Sequence, residues 1–226
     1  LAEQGVEVGT EVRCGPPAEV IVETAEGEHV ALIAMATHGY SGLKRWALGS
    51  TADKVVHATG TPVLLVRGEA PAPQEVRIRR ILLPLDGSRL ARQALPLAAE
   101  LAVRARGELL LLRAIVPTLE IMAGMPPSAR MPVQYEDLTE PMRAFAQQEL
   151  NELAEQLRAE VPQVVSLAPI GPAAEVIVDE AAAHHADLIV MATHGYSGLK
   201  RWALGSTADK VLHTSTTPLI LVRARE

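Results

Sequence analysis

Gly205-Ser206-Thr207 stands directly before a helical pattern and is the segment best suited to chemistry. A helix start carries backbone N–H groups that no helical carbonyl can pair, together with the positive end of the macrodipole. Adjacent hydroxyls add donors, so the natural ligand of such a segment is a phosphate. Ten residues upstream, Gly195, with Gly198 beyond it, lets a backbone approach closely or adopt positive φ. Ser206-Thr-Ala-Asp209 also fits a capping box, in which the serine serves the helix. Both roles remain open, since one serine can cap in the free state and bind when a ligand arrives.

Other reactive residue types carry weaker signals. His38 and His194 precede glycines, His57 and His213 fall in helical patterns, and His184-His185 ends one, where the negative dipole end favours histidine. No paired cysteines, H-E-x-x-H, nucleophile elbow or ordered Ser-His-Asp set accompanies them, so we expect neither a metal site nor a catalytic residue. Gly39-Tyr-Ser-Gly-Leu-Lys44 fails the phosphate-loop pattern that needs its lysine directly after the second glycine. Lys44, Arg45, Lys200 and Arg201 read as a solvated face, and Trp46 and Trp202 as apolar anchors.

These residues occur twice. Shifting the chain by 156 positions superposes Met35–Val55 on Met191–Val211 with all 21 residues identical. The register continues through Gly15-Pro16 with Gly171-Pro172, Ala18–Val22 with Ala174–Val178, and Thr61-Pro62 with Thr217-Pro218. The period is too long for a solenoid and marks a duplicated domain.

The second copy holds the elements that must position the site. Strands are expected at Ile81–Leu85, Glu108–Val116, Gln163–Pro169, Asp187–Ala192 and Pro218–Val222. Helices are expected at Leu90–Arg104, kinked or broken by Pro96, and at Met142–Glu160, Ala173–His184 and Ser206–His213. Pro117–Pro141, rich in proline and methionine, reads as a long surface loop. Alternating strands and helices imply an α/β fold with a doubly wound, five-stranded parallel sheet, here duplicated. Ligands bind such sheets outside the carboxyl ends of strands. That rule selects Pro84, Leu85 and Asp86, then Ala114 to Val116, then Met191 to Thr207.

The first copy is unequal. Leu1 aligns with Leu157, so the equivalents of residues 79–156 are absent. A fragment of about 70 residues with an open sheet edge is marginal alone. We therefore expect the biological chain to begin earlier, or another chain to supply the missing elements. Residues 1–68 are read as the C-terminal half of a first domain, 69–78 as a linker, and 79–226 as a complete second domain.

At this point the chain resembles the universal stress protein family, whose ATP-binding members carry G-x-x-G-x9-G-[S/T]. The second copy has Ala192-x-x-Gly195, nine residues, then Gly205-Ser206; the first has Ala36-x-x-Gly39, nine residues, then Gly49-Ser50. Alanine replaces the first glycine in both. The resemblance implies an adenine nucleotide-binding regulatory protein of the stress response, holding ATP or AMP, with Mg²⁺ as an option beside the phosphates. It places the base near Pro84, Leu85, Asp86 and Ala114. Ribose and phosphates fall near Met191, Ala192, Gly195, Gly205, Ser206 and Thr207. Met35, Ala36, Gly39, Gly49, Ser50 and Thr51 repeat the phosphate half. Asp86 suits a base amino group or ribose hydroxyl, although an aspartate before Gly-Ser also suits an Asx turn. The family's dimers imply that Pro218–Val222 and Pro62–Val66 pair, within the chain or between chains.

Composition is consistent with that picture. A net charge of −6 argues against general nucleic-acid binding, which needs a dense cationic footprint. Cys14 is the single cysteine, no run approaches a membrane span, and the first residues lack signal-peptide features, so a soluble cytoplasmic protein is expected. Two other functions stay open: a slow ATP hydrolase or nucleotidyl-transfer enzyme on the same fold, and an interaction scaffold that binds no nucleotide.

Overall fold

The computed structural model describes residues 5, 7–37, 48–67, 77–117, 138–193 and 204–224. The elements run α1 (Pro17–Gly27), β1 (Ile33–Ala36), α2 (Ser50–Ala58), β2 (Val63–Val66), β3 (Arg80–Pro84), α3 (Leu95–Ala105) and β4 (Glu108–Leu112), then α4 (Thr139–Leu157), β5 (Gln163–Leu167), α5 (Ala173–Ala183), β6 (Leu188–Ala192), α6 (Ser206–Thr214) and β7 (Leu219–Val222). A 3-10 turn at Ala91–Ala94 leads into α3. Pro96 thus divides the expected helix as its missing N–H requires: it occupies the first α-helical turn, where no partner is needed. Helix α4 starts three residues before the expected Met142, with Pro141 tolerated in its first turn for the same reason.

The strands form one seven-stranded sheet in the order β1-β2-β7-β6-β3-β4-β5. Within the second repeat, β3 is central, β4 and β5 lie on one side, and β6 and β7 on the other, all parallel. This is the expected doubly wound five-stranded unit, extended by β1 and β2. Continuous apolar strands such as Leu188–Ala192 are buried on both faces, as helices above and below require. Leu82, Leu110, Ile189 and Leu221 pack toward α1, α2, α5 and α6. Their neighbours Ile81, Leu109, Val190 and Ile220 pack toward α3 and α4.

The two repeats meet through β2 and β7, which pair antiparallel with Leu64 opposite Ile220, its own counterpart in the duplication. The arrangement is a pseudo-twofold inside one chain. Arg223 donates to the His57, Ala58 and Thr59 carbonyls at 3.3, 3.3 and 3.1 Å. Reciprocally, its counterpart Arg67 donates to the His213 carbonyl at 2.9 Å. Each guanidinium therefore satisfies carbonyls at the C-terminal end of the other repeat's helix, where a cation is electrostatically favoured.

Strand β1 lies at a sheet edge. Ala34 and Ala36 on it are exposed, whereas Ala192, the counterpart of Ala36, is only 6% exposed. Among the described residues no helix covers that face of β1.

Candidate functional site

Sheet order reverses between β3 and β6, and a cavity of about 230 Å³ opens at the carboxyl ends of those strands. Pro84, Leu85, Asp86, Ala114, Met191, Ala192, Gly205, Ser206 and Thr207 all line it. Gly195 and Gly39 lie outside the described residues. The walls are mainly apolar, and the polar groups fall at two ends: Asp86 after β3, and Thr193, Ser206 and Thr207 around the start of α6.

At the β3 end, Leu85 N–H donates to the Leu112 carbonyl at 2.7 Å, carrying the β3–β4 pairing beyond the strand. Asp86 Oδ1 then accepts from Ser88 N–H at 2.9 Å, and Ser88 Oγ accepts from Ala91 N–H at 3.0 Å. The Asx turn considered for Asp86 is therefore present and fixes where its carboxylate sits. Gly87 makes this turn at φ +85°, and a Cβ there would lie 2.8 Å from Arg113 Nη2. Arg113 is itself held by an ion pair with Glu149 of α4. The guanidinium thus packs against the turn that carries Asp86.

At the other end, Thr193 N–H donates to the Val222 carbonyl at 2.9 Å, and Gly205 N–H donates to the Thr193 carbonyl at 2.8 Å. The end of β6 and the start of α6 are tied together at this neck. Gly205 is the N-cap of α6, and no side chain caps the helix. The capping box is accordingly not formed: Ser206 is already inside the helix, one position too late to cap it. Its hydroxyl and the first-turn N–H groups border the cavity instead.

Sequence reasoning overlooked Ala91, Leu112, Ala173, Ile177 and Ala208, which complete the wall together with Thr193 of the selected run Met191 to Thr207. Ala173 and Ile177 lie one turn apart on α5, and their helical spacing was the available signal. In the first repeat, Ser50 and Thr51 line a separate open groove between α1 and α2 of about 670 Å³, while Met35 and Ala36 do not. Helix α2 likewise has a glycine N-cap, Gly49, and no side-chain cap.

Among the described residues no histidine lines the cavity. His213 Nδ1 lies 2.8 Å from the Asp209 carbonyl within α6, His57 makes the same contact with Asp53 in α2, and His184 pairs with Glu180. Among the described residues no three His, Cys, Asp or Glu side chains gather as metal ligands, and no helix is long and apolar enough to cross a membrane. The tryptophans and the Lys-Arg pairs of the repeated motif lie outside the described residues.

A doubly wound sheet with a cavity at its switch point and an open helix start defines an α/β protein of the Rossmann-like nucleotide-binding fold class. The family model described as the universal stress protein family matches residues 1–67 and 77–223. A universal stress protein of Mycolicibacterium smegmatis is 28% identical over 226 residues, covering 98% of this chain and 70% of that protein. One from Thermus aquaticus is 32% identical over 151 residues, covering 64% of this chain and 98% of its own length. A universal stress protein structure from Archaeoglobus fulgidus shares the fold with a TM-score of 0.71 at 23% identity, covering 98% of this chain and 73% of that one. The chain belongs to the universal stress protein family.

Proposed function

We propose that residues 79–226 form a complete unit that binds an adenine nucleotide, ATP or AMP, as a regulatory ligand in the cytoplasm. The observation that carries this reading is one cavity joining Asp86 to an uncapped helix start. An adenine nucleotide is apolar and planar in its base, rich in donors at its amino group and ribose, and anionic at its phosphates. The cavity has the matching order: aliphatic walls at Pro84, Leu85, Ala114 and Ile177, a carboxylate at Asp86, and free donors at Ser206 and Thr207. At about 230 Å³ it suits the base and ribose, with the phosphates passing out along the first turn of α6.

Binding, rather than turnover, is the function in this reading. Among the described residues Asp86 is the only carboxylate lining the cavity, and it lies at the base end and is occupied by its turn. No general base is positioned at the phosphate end among the lining residues. In this reading residues 1–68 make the β2–β7 contact and carry the other copy of the phosphate-loop sequence.

Calorimetry with ATP, ADP and AMP, paired with a phosphate-release assay, tests the proposal. One site per chain with slow or no turnover is expected. Absence of binding below about millimolar, some 4 kcal/mol of affinity, would leave the scaffold reading. Rapid turnover would replace binding by catalysis.

A further inference from the structure

A second, larger groove of about 810 Å³ lies at the opposite end of the sheet, where the strands of the second repeat begin. Arg77, Arg79 and Arg80 approach it from the entry to β3, and Arg106 from the turn between α3 and β4. That is a dense cationic cluster in a chain whose net charge is −6.

The two carboxylates in this groove are already engaged. Asp187 Oδ2 accepts the backbone N–H groups of Arg79 and Arg80 at 2.7 and 2.9 Å. Glu108 pairs with Arg80 Nε at 3.0 Å, and Arg80 Nη1 also donates to the His184 carbonyl at 3.0 Å. The side chains of Arg79 and Arg106 have no hydrogen bond or ion pair with another described residue, and both are exposed. Their backbones are held together: Glu108 N–H donates to the Arg79 carbonyl at 2.7 Å, and a Cβ on Gly107 would lie 2.5 Å from that oxygen. Arg106 adopts φ +51°, a left-handed conformation that turns the chain sharply before β4. Two guanidinium groups without a partner among the described residues are thereby carried on neighbouring segments joined through their backbones.

We infer that this groove is a second binding site, for a small oligophosphate, separate from the nucleotide cavity. Guanidinium forks match phosphate oxygens two at a time, which favours phosphate over a point anion. An acidic peptide is less well served, since Ile78, Ala105 and Pro162 are the apolar lining and offer no deep anchor pocket. The groove volume falls in the range of small-molecule sites.

The test uses the full chain, uniformly ¹⁵N-labelled and titrated with inorganic tripolyphosphate at low salt. Saturable amide shifts at Gly107, Glu108 and Asp187 are expected, weakening as salt screens the charges. Arg79→Gln/Arg106→Asn, in which asparagine accepts the left-handed conformation, should raise Kd by about tenfold or more. Shifts confined to Ser206–Ala208, shifts that never saturate, or a folded double variant that binds within about twofold of the parent would each overturn the inference. Should the variant not fold, the footprint on the parent chain decides.

Discussion

Replacing Gly87 by alanine tests the turn on which the β3 end of the cavity depends. The residue sits at φ +85°, and an alanine there takes on about 1–2 kcal/mol of left-handed strain. Its Cβ would also lie 2.8 Å from Arg113 Nη2 and 3.0 Å from Arg113 Cζ, so the guanidinium must move. Movement disrupts the ion pair with Glu149, whose side chains are 22% and 34% exposed and whose worth is therefore about 0.2–1 kcal/mol. Together these predict a loss of about 2 kcal/mol, or roughly 6 °C in Tm for a chain of this size. Differential scanning calorimetry of Gly87→Ala reads the shift. Gly27→Ala is the control, because open space surrounds that position at the end of α1 and the change should be neutral or slightly stabilising. If Gly87→Ala melts within about 1 °C of the parent, neither the strain nor the Arg113 contact is real. Adding Glu149→Gln to Gly87→Ala isolates the ion pair, and the two changes should then be less than additive.

Two further perturbations probe separate links. Ser206→Ala should alter stability by less than about 0.5 kcal/mol, because Gly205 and not Ser206 caps α6, yet it should weaken nucleotide affinity several-fold; thermal melting and calorimetry on the same sample separate the outcomes, and a loss near 1 kcal/mol would restore the serine as a cap. Arg223→Ala removes a charged donor from three carbonyls at the end of α2, and about 1.5–3 kcal/mol should be lost in urea unfolding, with a comparable effect from its counterpart Arg67→Ala. A negligible effect of both would mean that the pseudo-twofold contact contributes little beyond the β2–β7 pairing.

Much of the fold was readable because the duplicated sequence marks its own register and the strands fall between clear helical patterns. That the last strands of both copies meet was expected from the family resemblance, within the chain or between chains, whereas the antiparallel register with Leu64 opposite Ile220 comes from the structure alone. Less could be read inside the cavity. Leu188–Ala192 is an unbroken apolar run, so no alternation says which face each residue takes, and only the helices packed on both sides settle that Met191 and Ala192 turn to opposite layers. Leu112 enters the wall through tertiary packing that spacing along the chain does not encode. Arg113 and Glu149 are 36 positions apart, and nothing local announces that they meet behind the Asp86 turn. The Ser206 capping box failed for a one-residue reason: the helix begins at the serine, so the glycine before it takes the capping position.

Methionine methyl NMR tests the central claim most directly, because Met191 lines the cavity while its counterpart Met35 lies on the edge strand of the first repeat. With all methionines methyl-¹³C-labelled and Met191 assigned by Met191→Leu, AMP should shift the Met191 resonance saturably, with one site per chain, and leave Met35 in place. A Met191 resonance unmoved at about millimolar AMP, or equal saturable shifts at both methyls, would contradict a single complete nucleotide site formed by the second repeat.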